Sequence, residues 1–154
     1  MGRYIDFLLH LDHSIACEAG QFLFRQGDLA DYMYIVKTGA VMVKVDDKPI
    51  DLFRPGEIVG EMALVGKTTR CGTAKAVIDS TLVVIDSARF ETLMSDSPLF
   101  VRELMETMAL RVRRMNKEIL MLNRVLLRSN IQHAKHTRHS AEQRGARRAD
   151  MQYS

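Results

Sequence analysis

Apolar and polar positions along this 154-residue chain change their period twice. Residues 3 to 12 run Arg3-Tyr4-Ile5-Asp6-Phe7-Leu8-Leu9-His10-Leu11-Asp12 and place Ile5, Leu8, Leu9 and Leu11 on one side, as a short amphipathic helix does. From Gln21 the apolar positions come in short runs rich in aromatic and β-branched residues, which predict strands. These runs are Gln21 to Phe24, Tyr32 to Lys37, Ala40 to Asp46 and Ile50 to Phe53. Gly27-Asp28, Gly39, Asp46-Asp47 and Pro55-Gly56 separate them as turns. Thr73 to Ile78 and Thr81 to Asp86 continue the series. Short strands at this spacing predict an antiparallel roll or barrel.

The last stretch is helical. Asp86 or Ser87 caps a helix over Ala88 to Met94. Ser97-Pro98 then supplies an N-cap with a proline in the first turn, and no further proline or glycine occurs until Gly145. From Pro98 to about Gln132 such a helix measures about 50 Å at ~1.5 Å per residue, more than the roll can cover. Val101, Leu104, Met105 and Met108 form the face expected to pack on the roll. Val112, Met115, Ile119, Leu122 and Leu126 follow at coiled-coil spacing. The seam is short, so it suits either self-association or a single helix packed on its own domain.

Composition narrows the class. A hydrophobic content of 47% with 27% charged residues is that of a soluble globular domain, long enough for a core. No apolar run reaches the ~20 residues that span a bilayer, and the start of the chain lacks a signal-peptide pattern. Cys17 and Cys71 are too few for a disulfide framework and have no metal-ligand spacing, so a reducing, cytoplasmic location is expected. The net charge of +3 lies entirely beyond Gln132; the preceding residues hold 17 basic and 17 acidic side chains. Charge therefore makes no case for nucleic-acid binding by the body. His133, His136 and His139 stand three apart among Lys135, Arg138, Arg144, Arg147 and Arg148, and read as a solvated basic tail over 133–154 in preference to a metal site.

The chemistry is densest between Gly56 and Ala74. Glycines and small apolar residues lead into a loop from which Arg70 enters a strand, followed by Cys71, Gly72, Thr73 and Ala74. A guanidinium beside small residues and free backbone N–H groups suits an anion, above all a phosphate. Glu61, nine residues earlier, suits a neighbouring sugar hydroxyl. Phosphate with ribose means nucleotide.

Gly56, Glu57, Gly60, Glu61, Ala63, Leu64 and Arg70 match the phosphate-binding cassette of the cyclic nucleotide-binding domain family, which the chain resembles over about residues 20 to 130. The resemblance implies an α+β fold: an antiparallel β-roll, jelly-roll-like, with short flanking helices and a long C-terminal dimerisation helix. It implies a binding domain over 1–132, with the roll at about 20–86 and the helix at about 98–132. Arg70 is then expected to hold the equatorial oxygens of a cyclic phosphate and Glu61 to accept the ribose 2′-hydroxyl. Gly60 lets backbone approach the sugar, and the N–H groups of Ala63 and Cys71 complete the cradle. Met62 and Leu64 position the loop by packing, and Gly72 belongs to the small-residue run beside Arg70. Thr73 serves either as a hydroxyl donor or as an inward strand residue. Arg111, Met115 and Asn116 are candidates for the base.

Cyclic AMP is the expected ligand, because Cys71, whose thiol is a weak donor, stands where a threonine in relatives accompanies cyclic GMP preference; cyclic GMP is the alternative. A homodimer through the long helix and a separate protein effector are expected partners; no metal and no catalytic activity are. Only about twenty polar residues follow the helix where receptor-type relatives carry a DNA-reading domain, so sequence-specific DNA binding by this chain alone is not expected. An enzyme of the cupin type would need histidines inside the roll, and all five lie outside the strands. A dimeric scaffold with a degenerate site is the remaining rival.

Overall fold

The computed structural model describes residues 3–10 and 13–150, with side chains for 4–10 and 13–132. In chain order the elements are α1 (Arg3–Leu8), β1 (Ser14–Cys17), β2 (Phe22–Phe24), β3 (Tyr32–Val45), β4 (Lys48–Phe53), β5 (Ile58–Val59), α2 (Glu61–Gly66), β6 (Thr73–Asp86), α3 (Ser87–Asp96) and α4 (Pro98–Asp150). The six strands form one antiparallel sheet ordered β1-β6-β3-β4, with β2 added to β6 and β5 to β3. This is the expected α+β roll with short helices and a long C-terminal helix.

The spine is the pairing of β3 with β6, from Tyr32 opposite Asp86 to Lys44 opposite Thr73. Each strand has 14 residues, so the turn expected at Gly39 is not one. Gly39 adopts φ 88°, and a Cβ there would run into Ser80 Oγ and lie 2.6 Å from Asp79 O. The pairing shifts register on either side of it. Gly39 therefore bends a continuous strand as a bulge. Ser80, buried, closes the gap: its hydroxyl accepts from Ala40 N at 3.1 Å and donates to Ile78 O at 2.7 Å. Tyr34, Val36, Val41, Phe53, Val59 and Leu82 pack together on one face of the sheet, and the alternate residues Met33, Ile35, Val83 and Ile85 are buried on the other. Strand β1 went unread because its four residues do not alternate cleanly between buried and exposed.

Contacts divide the chain into Met1–Met105 and Glu106–Ser154. In the first unit α1 is shorter than its pattern suggested: Ile5 and Leu8 are buried, Leu9 is half-buried, and Leu11 lies outside the described residues. The buried Glu103 carboxylate accepts from Tyr4 N and Ile5 N, each at 3.0 Å. It thereby satisfies first-turn donors that a helix cannot pair internally. Leu104 is buried as expected, whereas Met105 is 65% exposed and does not join the face that packs on the roll.

The second unit is the remainder of α4, whose backbone stays helical past Gln132 to Asp150. Side chains of the histidine- and arginine-bearing stretch from residue 133 lie outside the described residues. Val112, Met115, Ile119, Leu122 and Leu126 are all exposed. Among the described residues no helix is long and apolar enough to cross a membrane.

Candidate functional site

The cassette begins where β5 ends. Gly60, at φ 87°, turns the chain into α2, and Lys67, at φ 49°, turns it out again. Thr68 N donates to Ala63 O at 3.0 Å, so the loop leaves α2 tightly. Two backbone bonds then pin the arginine: Arg70 N donates to Asp28 O and Gly27 N to Arg70 O, both at 2.9 Å. The Gly27-Asp28 turn expected from the sequence thus anchors the cassette.

Arg70 is 4% exposed. Its Nη1 donates to Gly60 O at 2.8 Å, its Nη2 donates to Tyr32 O, and its guanidinium lies 4.1 Å from the centroid of the Phe24 ring. Phe24 in turn stacks on Tyr34 with centroids 6.3 Å apart. The cation therefore rests on an aromatic face and aims donors at backbone carbonyls. Burial pulls its pKa below the ordinary guanidinium value, against the opposing pull of Tyr34, Asp31 and Asp28. An arginine keeps its charge through such a shift. Nε has no hydrogen-bond partner among the described groups, so one donor edge of the buried cation remains to be used.

Gly60 is the neighbour this arrangement requires. A Cβ at that position would lie 2.8 Å from Arg70 Nη1 and 3.0 Å from Phe24 Cε1. Glu61 follows it in the first turn of α2 and is 1% exposed. The structure thus brings Gly60, Glu61, Ala63 and Arg70 into one buried cassette, with Ala63 and Leu64 covered from solvent. Met62 is half-exposed, so the expectation that it packs is corrected: it faces outward from the short helix.

The small residues after Arg70 separate by role. Cys71 is exposed and carries a free thiol. Gly72 is fixed by packing, since a Cβ there would lie 2.8 Å from Lys44 O and 3.2 Å from Val43 Cγ1. Thr73, left open between hydroxyl donor and strand residue, accepts from Gln26 N at 2.9 Å and opens β6. Arg111, Met115 and Asn116 belong to the second unit; Met115 and Asn116 are exposed. The sequence reading missed the aromatic support of Phe24 and Tyr34 and the carbonyl of Tyr32. All three sit in runs that read simply as strand.

A cavity of about 670 Å³ separates α2 from α3, lined among others by Asp31, Ala63, Leu64, Lys67, Ala88 and Phe90. Neither Gly60, Glu61 nor Arg70 lines it. An exposed ion pair, Lys67 Nζ to Glu91 at 3.6 Å, links the two helices, and such pairs hold weakly. Among the described residues no group of three or more His, Cys, Asp or Glu side chains is placed to hold a metal.

Comparison with known proteins supplies the family. The model of the cyclic nucleotide-binding domain matches residues 15–97. A cAMP-dependent protein kinase regulatory subunit from Eremothecium gossypii is 39% identical over 75 residues, 49% of this chain and 16% of that protein. The crystal structure of Thermus thermophilus catabolite activator protein superposes with a TM-score of 0.66 at 28% identity, over 77% of this chain and 58% of the other. A protein of a cyclic-GMP-dependent signalling pathway that regulates bacterial phytopathogenesis superposes with a TM-score of 0.63 at 27% identity, over 74% of this chain and 95% of the other. With the cassette built as described and more than half its length matched, the chain belongs to the cyclic nucleotide-binding domain family.

Proposed function

We propose that this chain is a cyclic AMP sensor, a regulatory module that changes conformation on binding and acts on a separate protein effector. The observation that carries the reading is the buried Arg70 cation, seated on Phe24 and hydrogen-bonded to the Gly60 carbonyl at the mouth of α2. An arriving cyclic phosphate offers Arg70 charged acceptors in place of a neutral carbonyl, and charge-assisted bonds are the stronger. Glu61 takes the ribose 2′-hydroxyl, and the N–H groups of Ala63 and Cys71 complete the cradle. Met115 and Asn116, with Arg111, are assigned to the base on the family resemblance.

The switch follows from the same contacts. Exchange of the Gly60 carbonyl for phosphate frees the start of α2 to move. The cavity between α2 and α3 leaves room for Leu64 and Phe90 to close on one another. Ligand shifts the population only as far as it binds the closed state better. Homodimerisation through the exposed Val112–Leu126 seam of α4 completes the module, with a cytoplasmic setting.

Cyclic GMP is the second reading, favoured by the structural likeness to a protein of a cyclic-GMP-dependent pathway. The thiol of Cys71 is a weak donor, which favours cyclic AMP. Calorimetric titration of the full chain with both nucleotides tests the proposal. Tighter binding of cyclic AMP supports it, tighter cyclic GMP selects the second reading, and no heat with either removes both.

A further inference from the structure

The second unit carries a row of residues that its apolar seam does not use. Asn116, Asn123 and Asn130 stand seven residues apart on α4, with Leu120 and Leu127 between them. Asn116, Leu120, Asn123, Leu127 and Asn130 therefore follow at alternating spacings of four and three, the rhythm of a heptad seam. All five are exposed. This row is the first seam displaced by one residue, since Met115, Ile119, Leu122 and Leu126 each precede one of its members. At ~3.6 residues per turn, one residue is about 100° around the helix. A helix inside a four-helix bundle needs two contact rows about a quarter turn apart. A helix that pairs once needs one.

We propose that α4 assembles four copies of this chain, the apolar seam joining two and the Asn/Leu row joining one pair to another. The inference rests on the homodimer reading and adds the second contact. The occupant of the second row follows from its chemistry. An amide enclosed in an apolar seam must exchange hydrogen bonds with another polar group, because an asparagine facing leucine is buried unpaired. Only a helix with amides at the same heptad spacing matches Asn to Asn and Leu to Leu, and another copy of α4 carries that pattern. Charge allows the contact. Arg113 precedes Asn116 at the start of the second row, while Arg114, Lys117, Arg124 and Arg128 fall by spacing outside both rows, so beyond Arg113 these basic side chains turn away from the two contacts.

Sedimentation equilibrium of the full chain tests this. The expected mass is that of four chains of 17.5 kDa each. Leu120→Glu with Leu127→Glu is expected to reduce it to the mass of two, and Asn123→Lys to do the same. Circular dichroism confirms in each case that helix content is kept. A wild-type mass of two chains overturns the second contact and leaves the homodimer standing. A mass of one chain overturns both. A four-chain mass that survives both variants means the row is not the interface.

Discussion

Arg70 Nη1 lies 2.8 Å from the carbonyl of Gly60, and a Cβ on Gly60 would lie 2.8 Å from that same nitrogen. The glycine is thus required twice, by its φ of 87° and by the cation pressed against it. Gly60→Ala should strain the backbone by about 1–2 kcal/mol and also displace the guanidinium from Phe24. The expected result is a fall in Tm of roughly 2–8 °C, read by scanning calorimetry, with nucleotide binding weakened. An unchanged Tm would show that the cassette tolerates a side chain there.

Glu61 is the acid best placed to read the ribose. Glu61→Gln keeps the shape and removes the charge, so its effect should depend on the ligand. Wild-type protein is expected to prefer cyclic AMP over its 2′-deoxy analogue by roughly 10- to 100-fold, the worth of a hydrogen bond to a charged group. In the variant the two affinities should converge. Equal loss for both ligands would assign Glu61 to structure alone.

How much of this was legible beforehand depended on whether the signal was local. The cassette could be read because Gly60, Glu61 and Arg70 act through residue type and spacing within a dozen positions. The partners that hold Arg70 come from elsewhere: Phe24 from β2, Tyr32 from β3, Asp28 from the turn between them. Nothing in a strand-like run announces that one of its rings will carry a guanidinium. Gly39 misled for a similar reason. A glycine between two apolar runs reads as a turn, and only the approach of Ser80 across the sheet makes it a bulge. Gly72 was read for its smallness beside the arginine, yet its packing need is set by Lys44 on β3.

Glu103 ties the start of α1 to the start of α4. Glu103→Ala removes the acceptor of Tyr4 N and Ile5 N and should cost about 1–3 kcal/mol. Amide exchange at Ile5 is expected to accelerate, and Glu103→Gln to recover part of the protection. Unaltered exchange at Ile5 in the alanine variant would contradict this capping role.

Stability should fall at alkaline pH, and the sign follows from burial. The Cys17 thiol is raised above its ordinary 9.0 and the Tyr34 phenol above its ordinary 10.0, each chiefly by desolvation. The folded state therefore holds these protons more tightly than the unfolded chain. Their contribution is complete below pH ~9 and is lost as pH rises through the folded values. Urea midpoints should be flat near neutrality and decline above pH ~9. In Cys17→Ala the decline should begin about one pH unit later, where tyrosine takes over. An identical profile would exclude Cys17 as its source.

The most direct measurement is calorimetric titration of cyclic AMP into the wild-type chain and into Arg70→Ala and Arg70→Lys, each shown to be folded by its near-ultraviolet circular dichroism. Loss of charge-assisted bonds from a buried guanidinium is worth about 1.5–3 kcal/mol, so the alanine variant should bind roughly 10- to 100-fold more weakly. Lysine should recover little of that loss, because a point charge does not reproduce the forked donor geometry. Affinity within a factor of about two of wild type in folded Arg70→Ala would contradict the account at its centre.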